Sequence, residues 1–213
     1  MGISVVPPDV NSSFSEFMPR DDNSIYYGLS AIKKVGSKVA ESIVEARLKK
    51  GPFSSIFDLT SRVEAKSINK GVGEALVCSG AMDSIPGTRN AKLTGIEEAL
   101  NYGNRVQTLQ NTNQVDMFGS ANENATIREP QLQDLSEIPR METLNLEKDY
   151  IGLYLTGHPL DGYIDDIKAF STIDLLNLKD VVDKQDARIG GIISGLKIHY
   201  DKRNNPMVFF TFT

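Results

Sequence analysis

Between Leu29 and Ala46 the apolar residues keep helical spacing and are interrupted once, by a glycine. Leu29, Ile32 and Val35 share one face, Gly36 breaks the run, and Val39, Ile43 and Ala46 resume it at i, i+4 and i+7. A stretch written this way folds as two short helices joined by a tight turn, which commits this part of the chain to helix-on-helix packing. Gly51-Pro52 stops the second helix, and Ser54 or Ser55 can cap a third that carries Ile56, Phe57 and Leu59. Asn69 can cap a fourth containing Val72, Leu76 and Val77, which Gly80 ends. Thr88 or Asn90 opens a longer helix with Leu93, Ile96 and Leu100 facing the core. Residues 1–27 read as extended, with a turn at Pro7-Pro8-Asp9.

The same stretch holds the positive charge. The formal net charge is −5, which over the whole chain argues against a polyanionic partner. Between Gly28 and Gly73, however, nine basic residues stand against four acidic ones, while the rest of the chain carries 14 basic and 24 acidic. A basic module joined to an acidic one suggests local contact with nucleic acid. Leu29 to Arg47 has the form of a helix-hairpin-helix element. A glycine in the hairpin lets a phosphate approach, the helix after it offers unpaired N–H groups, and the candidate contacts are Lys33, Lys34, Gly36, Ser37 and Lys38. Lys66 and Lys70 extend the candidate patch. Such contacts touch the backbone and not the bases, so binding would be independent of sequence. The competing reading is a plain helix pair with a solvated lysine face.

The hairpin glycine-hydrophobic-glycine pattern reads Lys34-Val35-Gly36 here. If position 34 is left-handed, a lysine there costs roughly 1 kcal/mol relative to glycine. A second stretch, Gly71-Val72-Gly73, fits the pattern better and is either a second hairpin or part of a helix capped by Asn69. In the latter case each glycine costs the helix about 1 kcal/mol relative to alanine.

Residues 104–140 have linker composition: ten of these 37 are Asn or Gln, and the apolar residues show no period. Inside this segment, Gln114-Val115-Asp116-Met117-Phe118 places two large apolar side chains side by side with no helical partners. They suit an anchor for a groove on another protein, or a tag that folds back on its own domain. Helical spacing returns with Met141, Leu144, Ile151 and Tyr154, ending at Gly157 and Pro159, and a shorter helix follows around Tyr163, Ile164 and Ile167. From Ala187 the period becomes that of strands: Ile189 to Tyr200, a turn over Asp201 to Pro206, and Met207 to Thr213.

Little in the chain suits catalysis. Cys78 sits in an apolar helical context without a paired histidine, and His158 falls at a helix stop. The pairs Asp21-Asp22 and Asp165-Asp166 lack further ligands, and one Cys with two His is poor material for zinc, so neither a metal nor a cofactor is expected. No phosphate-binding glycine loop and no nucleophile elbow occur. Apolar runs of four or five residues are far short of the roughly 20 that span a bilayer, and no signal peptide is legible, so a cytoplasmic location is expected.

Four stretches together resemble one family, the alpha subunit of bacterial replicative DNA polymerase III, in the region after its palm and fingers. They are Pro7 to Asn11 with Ser13; Tyr27 to Leu29 through Ala31 to Lys33 and Val35-Gly36; Ser79-Gly80-Ala81-Met82-Asp83; and Glu147-Lys148 with Ile151 to Leu160. The resemblance implies a mainly α chain. Residues 1–103 would be a tandem helix-hairpin-helix domain on duplex DNA, and 104–140 a linker whose Gln114 to Phe118 pentapeptide enters a groove on the sliding clamp, the beta subunit. Residues 141–180 would be a helical connector, and 187–213 the first two strands of a truncated OB-fold, a module that takes single-stranded DNA when complete. Polymerase carboxylates and a phosphoesterase-like domain would lie upstream, leaving this chain a non-catalytic fragment of a nucleotidyltransferase with other holoenzyme subunits as partners. The alternatives are a stand-alone protein-interaction adaptor and the helix-hairpin-helix module of a repair nuclease or ligase.

Overall fold

The apolar face that begins at Leu29 closes on a single core. Leu29, Ile32, Ile43, Leu59 and Leu76 are each at most 1% exposed and belong to one contiguous cluster. The computed structural model describes residues 2–21, 23–113, 127–173 and 186–212. The chain divides into two units, Met1–Thr156 and Gly157–Thr213.

The first unit opens with a small sheet of β1 (Ser4–Val6), β2 (Met18–Asp21) and β3 (Ser24–Tyr26) in the order β1-β3-β2, parallel between β1 and β3 and antiparallel between β2 and β3. A 3-10 turn at Leu29–Ala31 leads to α1 (Ser37–Lys50), followed by α2 (Ile56–Arg62), α3 (Lys70–Cys78), α4 (Arg89–Asn113) and α5 (Arg140–Ile151). The expected caps are present: the Ser55 side chain accepts from Asp58 N–H, Asn69 from Val72 N–H, and Thr88 Oγ1 from Ala91 N–H. The fold is mainly helical, as the apolar spacing requires.

Gly71-Val72-Gly73 is helix and not a second hairpin, since all three residues lie inside α3. The reason is packing. A Cβ on Gly73 would stand 3.3 Å from Ile96 Cγ2, so the missing side chain lets α3 lie close on α4. The linker expected from residue 104 begins as helix, because α4 continues to Asn113. Its glutamines have structural work that composition does not reveal. Gln107 Nε2 donates to the carbonyls of Thr60, Ser61 and Val63, and its Oε1 accepts from Ala65 N–H, so one side chain satisfies the end of α2. Gly103 permits this approach, since a Cβ there would collide with the Thr60 carbonyl. Residues 127–139 have no regular structure but are docked. Leu132 fills the space over Gly87 and Gly95, and the carbonyls of Leu135 and Ser136 accept from Thr88 and Asn90. The next helix, α5, stops at Gly152, which adopts φ +91°, one turn before the expected stop at Gly157.

The second unit holds a 3-10 turn (Asp161–Tyr163), α6 (Ile164–Phe170) and an antiparallel hairpin of β4 (Ile193–Tyr200) and β5 (Pro206–Phe212). Its turn is built on Asp201, whose carboxylate accepts from the N–H groups of Arg203 and Asn205. Ile193, Leu196, Phe209 and Phe210 are all more than half exposed. Among the described residues no helix is long and apolar enough to cross a membrane.

Candidate nucleic-acid interface

After the 3-10 turn the chain reverses at Ile32 to Val35, where Val35 N–H donates to Ile32 O at 2.9 Å. Lys34 occupies the left-handed region at φ +71°, the place that the hairpin pattern gives to glycine. Gly36 follows as the N-cap of α1 with φ −77°, a conformation open to any residue, and a Cβ there would meet nothing within 4 Å. The fold itself therefore does not require glycine at 36. What glycine provides is clear space in front of the first turn of α1, where the N–H groups of Ser37 and Lys38 point without helical partners and no acidic residue intrudes.

Lys33, Lys34, Gly36, Ser37 and Lys38 are all exposed around this opening. The Lys34 stem passes 3.9 Å from where a Cβ on Gly71 would stand, which brings the start of α3 beside the hairpin. Lys70, the first residue of α3, is turned to Glu97 on α4 in an exposed ion pair at 2.6 Å, so its charge is partly spent within the chain. Lys66 is exposed on the turn between α2 and α3, and no described contact joins it to the hairpin. Gln114, Val115, Asp116, Met117 and Phe118 lie outside the described residues.

Two of the nine basic residues are structural. Arg47 is buried and donates to Val10 O at 2.8 Å. Arg62 donates to the carbonyls of Ala46 and Gly51, closing the end of α1, and to Asp58 at 2.9 Å. Cys78 is buried as expected for a core residue, and burial pushes its thiol up to about 11. The His158 Nδ1 accepts from Leu160 N–H, which places the ring in a turn. Among the described residues no three His, Cys, Asp or Glu side chains are grouped to hold a metal ion.

The left-handed Lys34 makes a test of local strain. Both Lys34→Gly and Lys34→Ala remove the ammonium, but only glycine relieves the backbone. The glycine variant is expected to be the more stable by about 1 kcal/mol in urea unfolding, and an alanine variant of equal or higher stability would contradict the turn as built.

Sequence reasoning does not reach a buried ionic cluster at the start of α4. Arg89, at the start of α4, donates to Asp83 at 2.5 Å and to Glu147 of α5 at 2.9 Å. Glu147 is fully buried and also accepts from Thr156 Oγ1, at 2.9 and 2.8 Å to its two oxygens. Burial disfavours the guanidinium charge, but Asp83 and Glu147 outweigh it and hold the Arg89 pKa above its ordinary value. A Cβ on Gly80 would come within 2.5 Å of Arg89 Nη2, so glycine there keeps room for the cluster. Two stretches that carry the sequence resemblance, Ser79 to Asp83 and Glu147 onward, thus meet at one arginine.

Residues 2–92, which contain the hairpin, match the model of the helix-hairpin-helix motif family. Over nearly its full length the chain is also similar to proteins named DNA polymerase III subunit alpha. It is 32% identical over 211 residues to that of Vibrio cholerae, covering 99% of this chain and 18% of the relative. It is 34% identical to those of Escherichia coli K12, over 208 residues, and Pseudomonas aeruginosa, over 232. These alignments cover 96% and 99% of this chain and 18% and 19% of the relatives. Along nearly its whole length, then, the chain matches DNA polymerase III alpha subunits, and its residues 2–92 carry the helix-hairpin-helix motif. It spans under a fifth of the length of these curated relatives. Arg89 and the Lys33 to Lys38 hairpin both lie within the residues that match the motif, the arginine buried and the hairpin lysines exposed to solvent.

Proposed function

We propose that this chain is the part of a DNA polymerase III alpha subunit that holds duplex DNA by its phosphates and tethers the polymerase to the sliding clamp. The observation that carries the DNA half is the exposed set Lys33, Lys34 and Lys38 around the open N-terminus of α1, with Gly36 leaving that opening unobstructed. Backbone N–H groups and lysines are donors to phosphate oxygens, so the contact positions DNA without reading its bases. The clamp half rests on the pentapeptide Gln114 to Phe118, in which the glutamine and the terminal Met117-Phe118 pair are the anchors. Nucleotidyl transfer is assigned to parts of the parent protein outside this chain, and no cofactor is assigned to these residues. The hairpin β4–β5 is read as the opening of an OB-fold that takes single-stranded DNA when complete. The other holoenzyme subunits are partners of the parent, and its compartment is the cytoplasm.

Two labelled duplexes of unrelated sequence should bind with affinities within about twofold of each other. Failure to bind either duplex would favour the protein-interaction adaptor, and a preference of about tenfold for one would contradict backbone contact.

The full chain should bind a bacterial sliding clamp with a Kd on the order of micromolar, the range of a short peptide anchor with two apolar contacts. Replacing Met117 and Phe118 together by alanine should weaken that binding by at least about tenfold. A double variant retained on a clamp-coated sensor as well as the parent would remove the clamp assignment.

A further inference from the structure

Tyr150 of α5 meets the hairpin twice. Its carbonyl oxygen accepts Lys33 N–H at 2.9 Å, and its ring lies beneath the Lys34 ammonium, with Nζ 5.5 Å from the centroid. The Lys34 stem also runs past the start of α3, so the side chain lies near both α3 and α5. An exposed lysine ordinarily samples many rotamers, and fixing it on a phosphate sacrifices that entropy. Here a cation–π contact fixes it beforehand. The strained backbone at Lys34 has a consequence in the same direction: a glycine would suit the turn better, but would leave no charge beside the α1 N-terminus.

We propose that Tyr150 is a positioning residue for the hairpin, whose ring holds the Lys34 ammonium in place so that an incoming phosphate meets a charge already set. This rests on the reading of the hairpin as a phosphate-binding element. Tyr150 acts through Lys34 and itself touches no DNA.

The test is a double-mutant cycle on the full chain, read by anisotropy of a labelled duplex at low salt. Tyr150→Leu should weaken binding about threefold, and Tyr150→Phe, which keeps the ring, should match the parent. In a Lys34→Gly background, Tyr150→Leu should cause no further loss, because the residue through which it acts is gone. In the free parent, the Lys34 ε-methylene protons should show an upfield ring-current shift in NMR, a readout that needs no variant to fold. If the parent binds but Tyr150→Leu binds as tightly, or weakens equally with and without Lys34, the positioning role is wrong while the DNA reading stands. Unshifted Lys34 protons in the folded parent would also overturn it. A parent that binds no duplex would remove both.

Discussion

Arg89→Met should destabilise the helical unit by about 3–5 kcal/mol, the cost of removing one partner from a buried ion pair. The loss falls mainly on Glu147, which is fully buried and would keep only Thr156 as its donor. Asp83 is 48% exposed at its side chain and would be rescued by water. Urea unfolding followed by helical circular dichroism reads the change, and a loss below about 1 kcal/mol would show that the cluster contributes little. Adding Glu147→Leu to Arg89→Met should recover part of the loss, because an uncompensated buried carboxylate is then absent.

Replacing Lys33, Lys34 and Lys38 together by glutamine should weaken duplex binding about 10- to 100-fold near 50 mM salt, since each lysine removed leaves one phosphate unneutralised. Stability should stay within about 1 kcal/mol of the parent, because these side chains are exposed. A triple variant that binds like the parent would move the DNA surface elsewhere, with Lys49, Lys50, Lys66 and Lys70 the remaining exposed lysines of the basic module.

The α-helices were legible because their signals are local, but the short helix expected from Leu29 to Val35 is only a 3-10 turn at Leu29–Ala31, after which Ile32 is extended. Caps at Ser55 and Asn69 and the apolar faces of α1 to α4 follow from residues a few positions apart. The left-handed turn at Lys34 was legible only as a departure from a pattern, and φ +71° puts a lysine in backbone geometry that ordinarily favours glycine. What escaped the sequence depends on partners distant in the chain. Gln107 looks like linker composition until the end of α2 is placed beside it, 44 to 47 residues away. Gly71-Val72-Gly73 fits a hairpin as well as a helix in sequence, and the close approach of Ile96 to Gly73 accompanies the helix. Arg89 and Glu147 are 58 residues apart, and neither has neighbours that announce a buried pair. For the same reason the charge balance of the basic module overstated its surface, since Arg47 and Arg62 serve carbonyl groups of the fold.

Counterion release measures most directly whether the hairpin from Lys33 to Lys38 grips phosphate. The Kd of the full chain for a short labelled duplex is determined across a series of salt concentrations. With on the order of three to five phosphates neutralised, log K should fall against log salt with a slope of about −3 to −5. A slope near zero would mean that the lysines are a solvated face and that the hairpin does not hold DNA.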